Sequence, residues 1–330
     1  MTFPPSPEPK RLVAVVVTHN RLAQLQVTVS RLLAEDPALL QAVVVVDNAS
    51  SDDTADWLAT QVDPRLVVHR SAQNQGGAGG FEAGLRLTCD RFDPDWIVLM
   101  DDDARPLPGA LAAFHAADRP DTLASAAAVY FPDGRICEMN RPSVNPFWSL
   151  RTFLRTLLQG RNGYHIPYSS YEAGVARPID LTSFVGLFLS RRMISENGFP
   201  NPRLFLYGDD VIYTLGLRRR GHGIVFDPQI GFEHDCSTFE NDQRRVFNPL
   251  WKVYYTYRNG LIMYHTAAGG LFWLMLPLLA VKWYLAAGRY GADRRTYLRL
   301  LRAALHDGAR SRVVRDHSEV LALAALDRAA

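Results

Sequence analysis

Four apolar runs near the start of the chain, each closing on a polar cluster, restrict its fold more than any other feature. Leu12–Val17 (LVAVVV) runs into THNR, Ala42–Val46 (AVVVV) into DNASSDD, Leu66–His69 towards NQGGAGG, and Trp96–Met100 (WIVLM) into DDD. Apolar, β-branched runs without polar alternation read as strands buried on both faces. Between them lie segments of helical spacing: Leu22–Leu33, Ala55–Gln61 behind the capping residues of SSDDT, and a helix through Gly84 to Cys89 after the glycines. This alternation predicts an α/β fold with a doubly wound, mainly parallel sheet and flanking helices. Ligands of such sheets collect at the carboxyl ends of the strands. All four polar clusters sit there, which points to a nucleotide-type site.

The chemistry concentrates after the fourth run, where Asp101, Asp102 and Asp103 are consecutive. Like charges so close raise each other's pKa unless a cation neutralises them. Carboxylates at i and i+2 on extended backbone point the same way and can grip a hard divalent ion. A solvated acidic turn, ended by Pro106 and Pro108, is the competing explanation.

Further along, Leu111–Ala117 reads as a short helix and Ala124–Phe131 as a strand. Asn140–Pro178 carries Pro, Trp, Tyr and Arg without clear periodicity and suits a substrate-facing insertion. Phe184–Ser190 is a predicted strand and Arg191–Asn197 a helix stopped by Gly198. A helix then runs from Asp209 to Arg220, followed by short strands Ile224–Phe226 and Ile230–Glu233 that end at His234.

Bulk properties exclude some classes. With 48% hydrophobic and 21% charged residues the chain is globular, and its net charge of +2 does not mark a nucleic-acid binder. The charge is uneven: from Asn241 onward there are 14 Lys and Arg against 6 Asp and Glu. Cys89, Cys137 and Cys236 are far apart in sequence and odd in number, which suggests a reducing compartment and neither a zinc nor a disulfide pattern. The N-terminal MTFPPSPEPKR lacks the apolar core of a signal peptide. Leu261–Gly288 is long and apolar, but Pro277, Lys282 and Gly269-Gly270 interrupt it. With basic residues around it, a membrane-surface helix is favoured over a buried helix pair, and a true span comes third.

Taken in order, VVVTHNR, VVDNASSDDT, NQGGAGGF, LMDDDARP, YGDD and FEHD resemble the family 2 inverting glycosyltransferases over about residues 12–240. GGAGGF and the acid triplet look most like the galactofuranosyltransferase branch, and rhamnosyltransferases share much of the pattern. The resemblance implies the A-type nucleotide-sugar fold with a C-terminal helical extension. Between a disordered Pro-rich leader (1–11) and a basic helical region (246–330), it places a nucleotide-sugar-binding half (12–110) and an acceptor-binding and catalytic half (111–245). It assigns Asp101, Asp103 and His234 to a metal, Mn²⁺ or Mg²⁺, with a His nitrogen favouring Mn²⁺. It gives the general base to Asp210, with Asp209 as fallback or acceptor contact, although acids at a helix start also favour the dipole. Asp47 would accept from a pyrimidine ring N–H, Arg21 and Asn74 would contact base or ribose, and Thr18 would line the same site. Asp102 is left for ribose or diphosphate, and Gly76, Gly77, Gly79 and Gly80 would let backbone approach the donor. A simple turn and helix-packing contact is the alternative for these glycines. Trp148, Tyr164, Phe184 and Phe188 lie in regions suited to an acceptor, though most aromatics in such a chain are core.

The implied activity is transfer of a hexose, galactofuranose from a UDP-sugar, onto a glycan or lipid-linked acceptor for cell-surface polysaccharide, at the cytoplasmic face of an anionic membrane. The alternatives are a dTDP-rhamnose-dependent transferase, a catalytically silent nucleotide-binding scaffold, and a nucleotidyltransferase. The last would carry a basic Gly-rich loop where this chain has THNRLAQL.

Overall fold

The structure, a computed structural model, describes residues 10–236 and 246–325. Most of the Pro-rich leader therefore lies outside the described residues. One mixed sheet organises the chain. Its first half is parallel: β1 (Leu12–Thr18), β2 (Ala42–Asp47), β3 (Leu66–Arg70) and β4 (Trp96–Asp101) lie in the order β3-β2-β1-β4. Helices α1 (Leu22–Leu33), α2 (Thr54–Ala59) and α3 (Gly76–Phe92) make the crossovers. Both faces of β1 are covered. Val13, Val15 and Val17 pack into one core with Phe81 and Leu85 of α3, and Leu12, Ala14 and Val16 into another with Leu25, Val29 and Leu32 of α1. That explains the unbroken apolar runs.

Beyond β4 the sheet changes character. The outer order continues β8-β6-β9-β5, from β5 (Ala104–Pro106), β6 (Leu123–Tyr130), β8 (Leu187–Ser190) and β9 (Gly223–His234). Here β8 runs antiparallel to β4 and β6, β9 is parallel to β6, and β5 and β7 (Arg177–Ile179) are antiparallel to β9. Helices α4 (Ala110–Ala116), α5 (Leu150–Gln159), α6 (Ser169–Glu172), α7 (Arg191–Asn197) and α8 (Asp209–Arg219) accompany this half. Three features differ from the sequence expectation. The two short strands before His234 are one twelve-residue strand, whose register against β6 shifts between Ala127 and Ala128. Neither β5 nor β7 was expected. The segment read as aperiodic contains α5, capped by the Ser149 hydroxyl.

The C-terminal region is helical: α9 (Lys252–Ala268), α10 (Phe272–Ala286), α11 (Arg294–Gly308) and α12 (His317–Ala325). The apolar stretch expected as one unit is split. Gly269, at φ 57°, breaks α9 from α10. Helix α9 is buried along one side through Val253, Tyr254 and Tyr255, which pack with Phe205, Tyr297 and Leu300. In α10 only Phe272 is buried.

Candidate active site

Three neighbouring parallel strands end at one level. The register sets Thr18 opposite Asp47 and Val17 opposite Asp101. After Asp101 the chain turns through Asp102 and Asp103 into β5, whose pairing with β9 sets Ala104 opposite His234. The Asp235 N–H donates to the Asp103 carbonyl at 2.8 Å, and the adjacent register pair Arg105–Glu233 is an ion pair. This short ladder carries His234 to the acid triplet, and His234 Nε2 lies 3.1 Å from Asp103 Oδ1. One donor atom from each of Asp101, Asp103 and His234 falls within 4.8 Å of the others. Two carboxylates and an imidazole at this spacing fit a divalent cation of the Mn²⁺ or Mg²⁺ kind.

The electrostatics are those of a site lacking compensation. Burial, then the charge of Asp103, pushes Asp101 up to about 6. Burial alone would raise Asp103 as well, but His234 and Arg21 outweigh it and hold it below the usual carboxylate range. The opposite balance acts on His234: burial opposes protonation, yet Asp103 and Cys137 raise it to about 10. His234 is therefore an imidazolium at neutral pH. Its Nδ1–H donates to Asn140 Oδ1 at 2.7 Å, and Asn140 Nδ2 donates to Ser183 Oγ at 2.8 Å, which fixes the amide and with it the ring. Asn140, buried on a single helical turn, was not anticipated, and no local pattern marks it. Cys137 and Cys236, far apart in sequence, meet behind this ring with sulfurs 4.0 Å apart. Burial, then Cys137, pushes the Cys236 thiol to about 12, and one ligand atom from each of Cys137, His234 and Cys236 falls within 4.8 Å of the others.

Asp102 has partners of its own. Its Oδ2 accepts from Thr18 Oγ1 at 2.7 Å, and Arg21 Nη1 stands 3.4 Å from Oδ1. Burial raises it to about 7 against the pull of Arg21. Arg21 also donates to Asp103 Oδ2 at 2.6 Å, so this guanidinium bridges two acids of the triplet. Asp47 is fully buried; its Oδ1 accepts from the Ser50 N–H at 2.8 Å. Among the described residues its Oδ2 has no hydrogen-bond donor, and the Arg70 Nε ion pair stands at 3.5 Å. Asn74 Oδ1 accepts from Asn48 Nδ2 and the Gly76 N–H, and Asn48 also bonds the Gly76 carbonyl and the Gln75 N–H. Asn48, quoted in the motif without a role, is the latch of the turn opening α3.

The glycines divide. A Cβ on Gly76 (φ 69°) would lie 2.0 Å from the Phe205 carbonyl oxygen, and one on Gly80 would lie 2.4 Å from Val17. Those two serve close packing of α3 on β1 and on the loop before α8. Gly77 has open space around it.

That loop carries the second acid pair. Phe205, Tyr207 and Gly208 all have positive φ, and the chain then enters α8 at Asp209 and Asp210. The conformation is clamped from α9. Asn259 Nδ2 donates to the carbonyls of Leu204, Leu206 and Tyr207 at 2.8–3.0 Å, and Arg258 donates to those of Arg203 and Leu204. Burial, then Asp210, pushes Asp209 to about 8. Burial pushes Asp210 to about 6 against the Val211 N–H, which donates to Oδ1 at 2.7 Å. The charge of Asp101 raises both, so the two acid clusters lie within electrostatic reach of one another. Asp210 also lines a 640 Å³ cavity walled by Tyr164, His165, Met263 and Tyr264. Of the other aromatics considered, Phe184 and Phe188 are core and Trp148 is exposed.

Comparison with known proteins bears on the family and the fold. The family model described as glycosyl transferase family 2 matches residues 13–175. The chain is 27% identical over 313 residues to galactofuranosyltransferase GlfT1 of Mycolicibacterium smegmatis, covering 88% of this chain and 94% of that protein. It is 31% identical over 223 residues to the undecaprenyl-phosphate mannosyltransferase of Micrococcus luteus, covering 66% of this chain and 82% of that one. Among solved structures, GalNAc-T7 with UDP, GalNAc and Mn²⁺ matches with a TM-score of 0.52 at 11% identity, over 77% of this chain and 51% of that one. The mannosyltransferase PcManGT from Pyrobaculum calidifontis, in complex with GDP-Man and Mn²⁺, matches with 0.50 at 17% identity, over 99% and 82%. The fold is thus the A-type nucleotide-sugar fold. The chain belongs to the family 2 glycosyltransferases, and its similarity within them runs to the galactofuranosyltransferases.

Proposed function

We propose that this glycosyltransferase moves galactofuranose from UDP-galactofuranose, with inversion, onto a glycan or lipid-linked acceptor of cell-surface polysaccharide, at the cytoplasmic face of a membrane. The observation that carries the mechanism is the meeting of two unlike acid clusters, Asp101–Asp103–His234 and Asp209–Asp210, with a cavity beside the second. Asp47 Oδ2, buried and without a hydrogen-bond donor among the described residues, suits the imide N–H of uracil. A Mn²⁺ or Mg²⁺ held by Asp101, Asp103 and His234 would supply Lewis-acid stabilisation to the departing diphosphate. Arg21 adds a fixed positive charge on the same side. Asp210, raised by burial to about 6, takes the proton of the acceptor hydroxyl in its ionised form, with Asp209 beside it at the start of the same helix. Single displacement from the face opposite the diphosphate inverts the anomeric carbon.

Donor choice decides most. Purified protein with Mn²⁺ is given UDP-galactofuranose, UDP-galactopyranose or dTDP-rhamnose, and nucleoside diphosphate release is measured. Release from UDP-galactofuranose is expected. Release only from the dTDP-sugar would make this a rhamnosyltransferase, because an imide-reading Asp47 accepts thymine equally. Release from none would leave a silent nucleotide-binding scaffold.

A further inference from the structure

Helix α5 is amphipathic, yet none of it is buried. Leu150, Phe153, Leu154, Leu157 and Leu158 recur at helical spacing, and Leu150 and Leu158 are 73% and 86% exposed. An apolar stripe made to this pattern packs against something. The 640 Å³ cavity is lined from α10 as well, where Trp273, Leu274, Leu278, Val281 and Leu285 are exposed. Leu157 of α5 and Leu278 of α10 both line the cavity and both reach the surface. Both helices thus expose apolar side chains beside one cavity, with Asp210 in its wall.

Charge narrows what covers them. From Met139 to Tyr171 there are four Arg and no Asp or Glu, and from Val246 to Ala292 four Lys and Arg and again no acid. Arg151 and Arg161 near α5, and Lys282 and Arg289 on the α10 side, are exposed. Exposed Trp148, Trp273 and Tyr284 add amphipathic rings of the type found at headgroup level. Leucines set among cations and aromatic rings, without acids, complement an anionic lipid surface. Helix α10 belongs to a helical stretch, Lys252–Gly308, whose apolar part is little buried.

We propose that α5 is a membrane-docking element which, together with α10, seats the cavity mouth on an anionic bilayer, so that a lipid-linked acceptor reaches Asp210 without leaving the membrane. This rests on the membrane reading above and adds α5, far from the C-terminal region, as half of the contact. The full chain is floated with vesicles of phosphatidylcholine mixed with phosphatidylglycerol, and with vesicles of phosphatidylcholine alone. Wild type should float with the mixed vesicles. The double variant Leu154→Glu/Leu158→Glu should lose binding by more than about ten-fold while UDP affinity and melting temperature hold. Arg151→Glu, which keeps every apolar contact, should lower binding to mixed vesicles and leave binding to neutral ones unchanged. Wild type that floats with neither vesicle overturns the membrane reading itself. Wild type that floats while the double variant floats equally overturns the role of α5 alone. Equal binding to both vesicle types overturns the anionic partner. A double variant that only converts a dimer to a monomer, with flotation unchanged, assigns the face to a second copy instead.

Discussion

Asp209 and Asp210 are neighbours of one type, and burial raises both above the ordinary carboxylate range. The sign of their pH dependence follows. A general base works deprotonated, and burial lifts Asp210 from the ordinary carboxylate range to about 6, so turnover is lost as pH falls through 6 and is full above it. Rates with saturating donor and acceptor should fall about ten-fold per pH unit below that point. Asp210→Asn should cut transfer by about 10²–10⁴ while UDP affinity by calorimetry stays near normal. Transfer close to wild type would remove Asp210 from the base role. His234 behaves in the opposite sense. Raised to about 10, it carries a proton on Nε2 that a metal must displace. Calorimetry in buffers of different ionisation enthalpy should therefore register about one proton released per Mn²⁺ at neutral pH, with affinity rising as pH rises. Asn140→Ala frees the ring and should weaken Mn²⁺ binding by about 10–100-fold. A protein that binds the ion equally well without Asn140 would make that contact structural only.

Among the elements, α9 holds the loop from Arg203 to Gly208, with three residues at positive φ, through one asparagine and one arginine. Asn259→Ala removes one donor from each of three carbonyls, Leu204 keeping that of Arg258, and should cost about 1–3 kcal/mol in urea unfolding, with kcat falling more than KM rises. An unchanged kcat would show that the loop holds its shape alone. The same scale explains what could be read beforehand. Strands β1, β2 and β4 were legible because burial on both faces writes itself into a local run of Val, Leu and Ile. The acid triplet and His234 were legible as residue types at strand ends. Strands β5 and β7, three residues each, have no local signal, since they exist only through pairing with β9. Pro228 made β9 look like two strands, and the register shift at Ala127/Ala128 absorbs that break. Helix α5 was overlooked because Pro146, Gly160 and Gly163 flank a pattern only ten residues long. Asn140 and Asn259 could not be found locally, because their partners lie 94 and more than 50 residues away.

At the scale of the molecule, the C-terminal helices are part of the catalytic scaffold as well as its basic face. Phe205, in the loop before α8, packs into the same core as Tyr254, Tyr255 and Tyr297. A chain truncated before Val246 is therefore expected to lose cooperative unfolding and UDP binding together, followed by fluorescence on denaturant titration. A truncated protein that folds cooperatively and turns over normally would make this region an appendage. The pairing of β5 with β9 has a consequence in time. His234 is 131 residues from Asp103, and every other acid named in the two clusters leaves the ribosome before it. A nascent chain thus presents its nucleotide-facing strands early, and the cation site closes only when the last strand of the sheet arrives. During synthesis, the proposed metal site is therefore complete only when the sheet is.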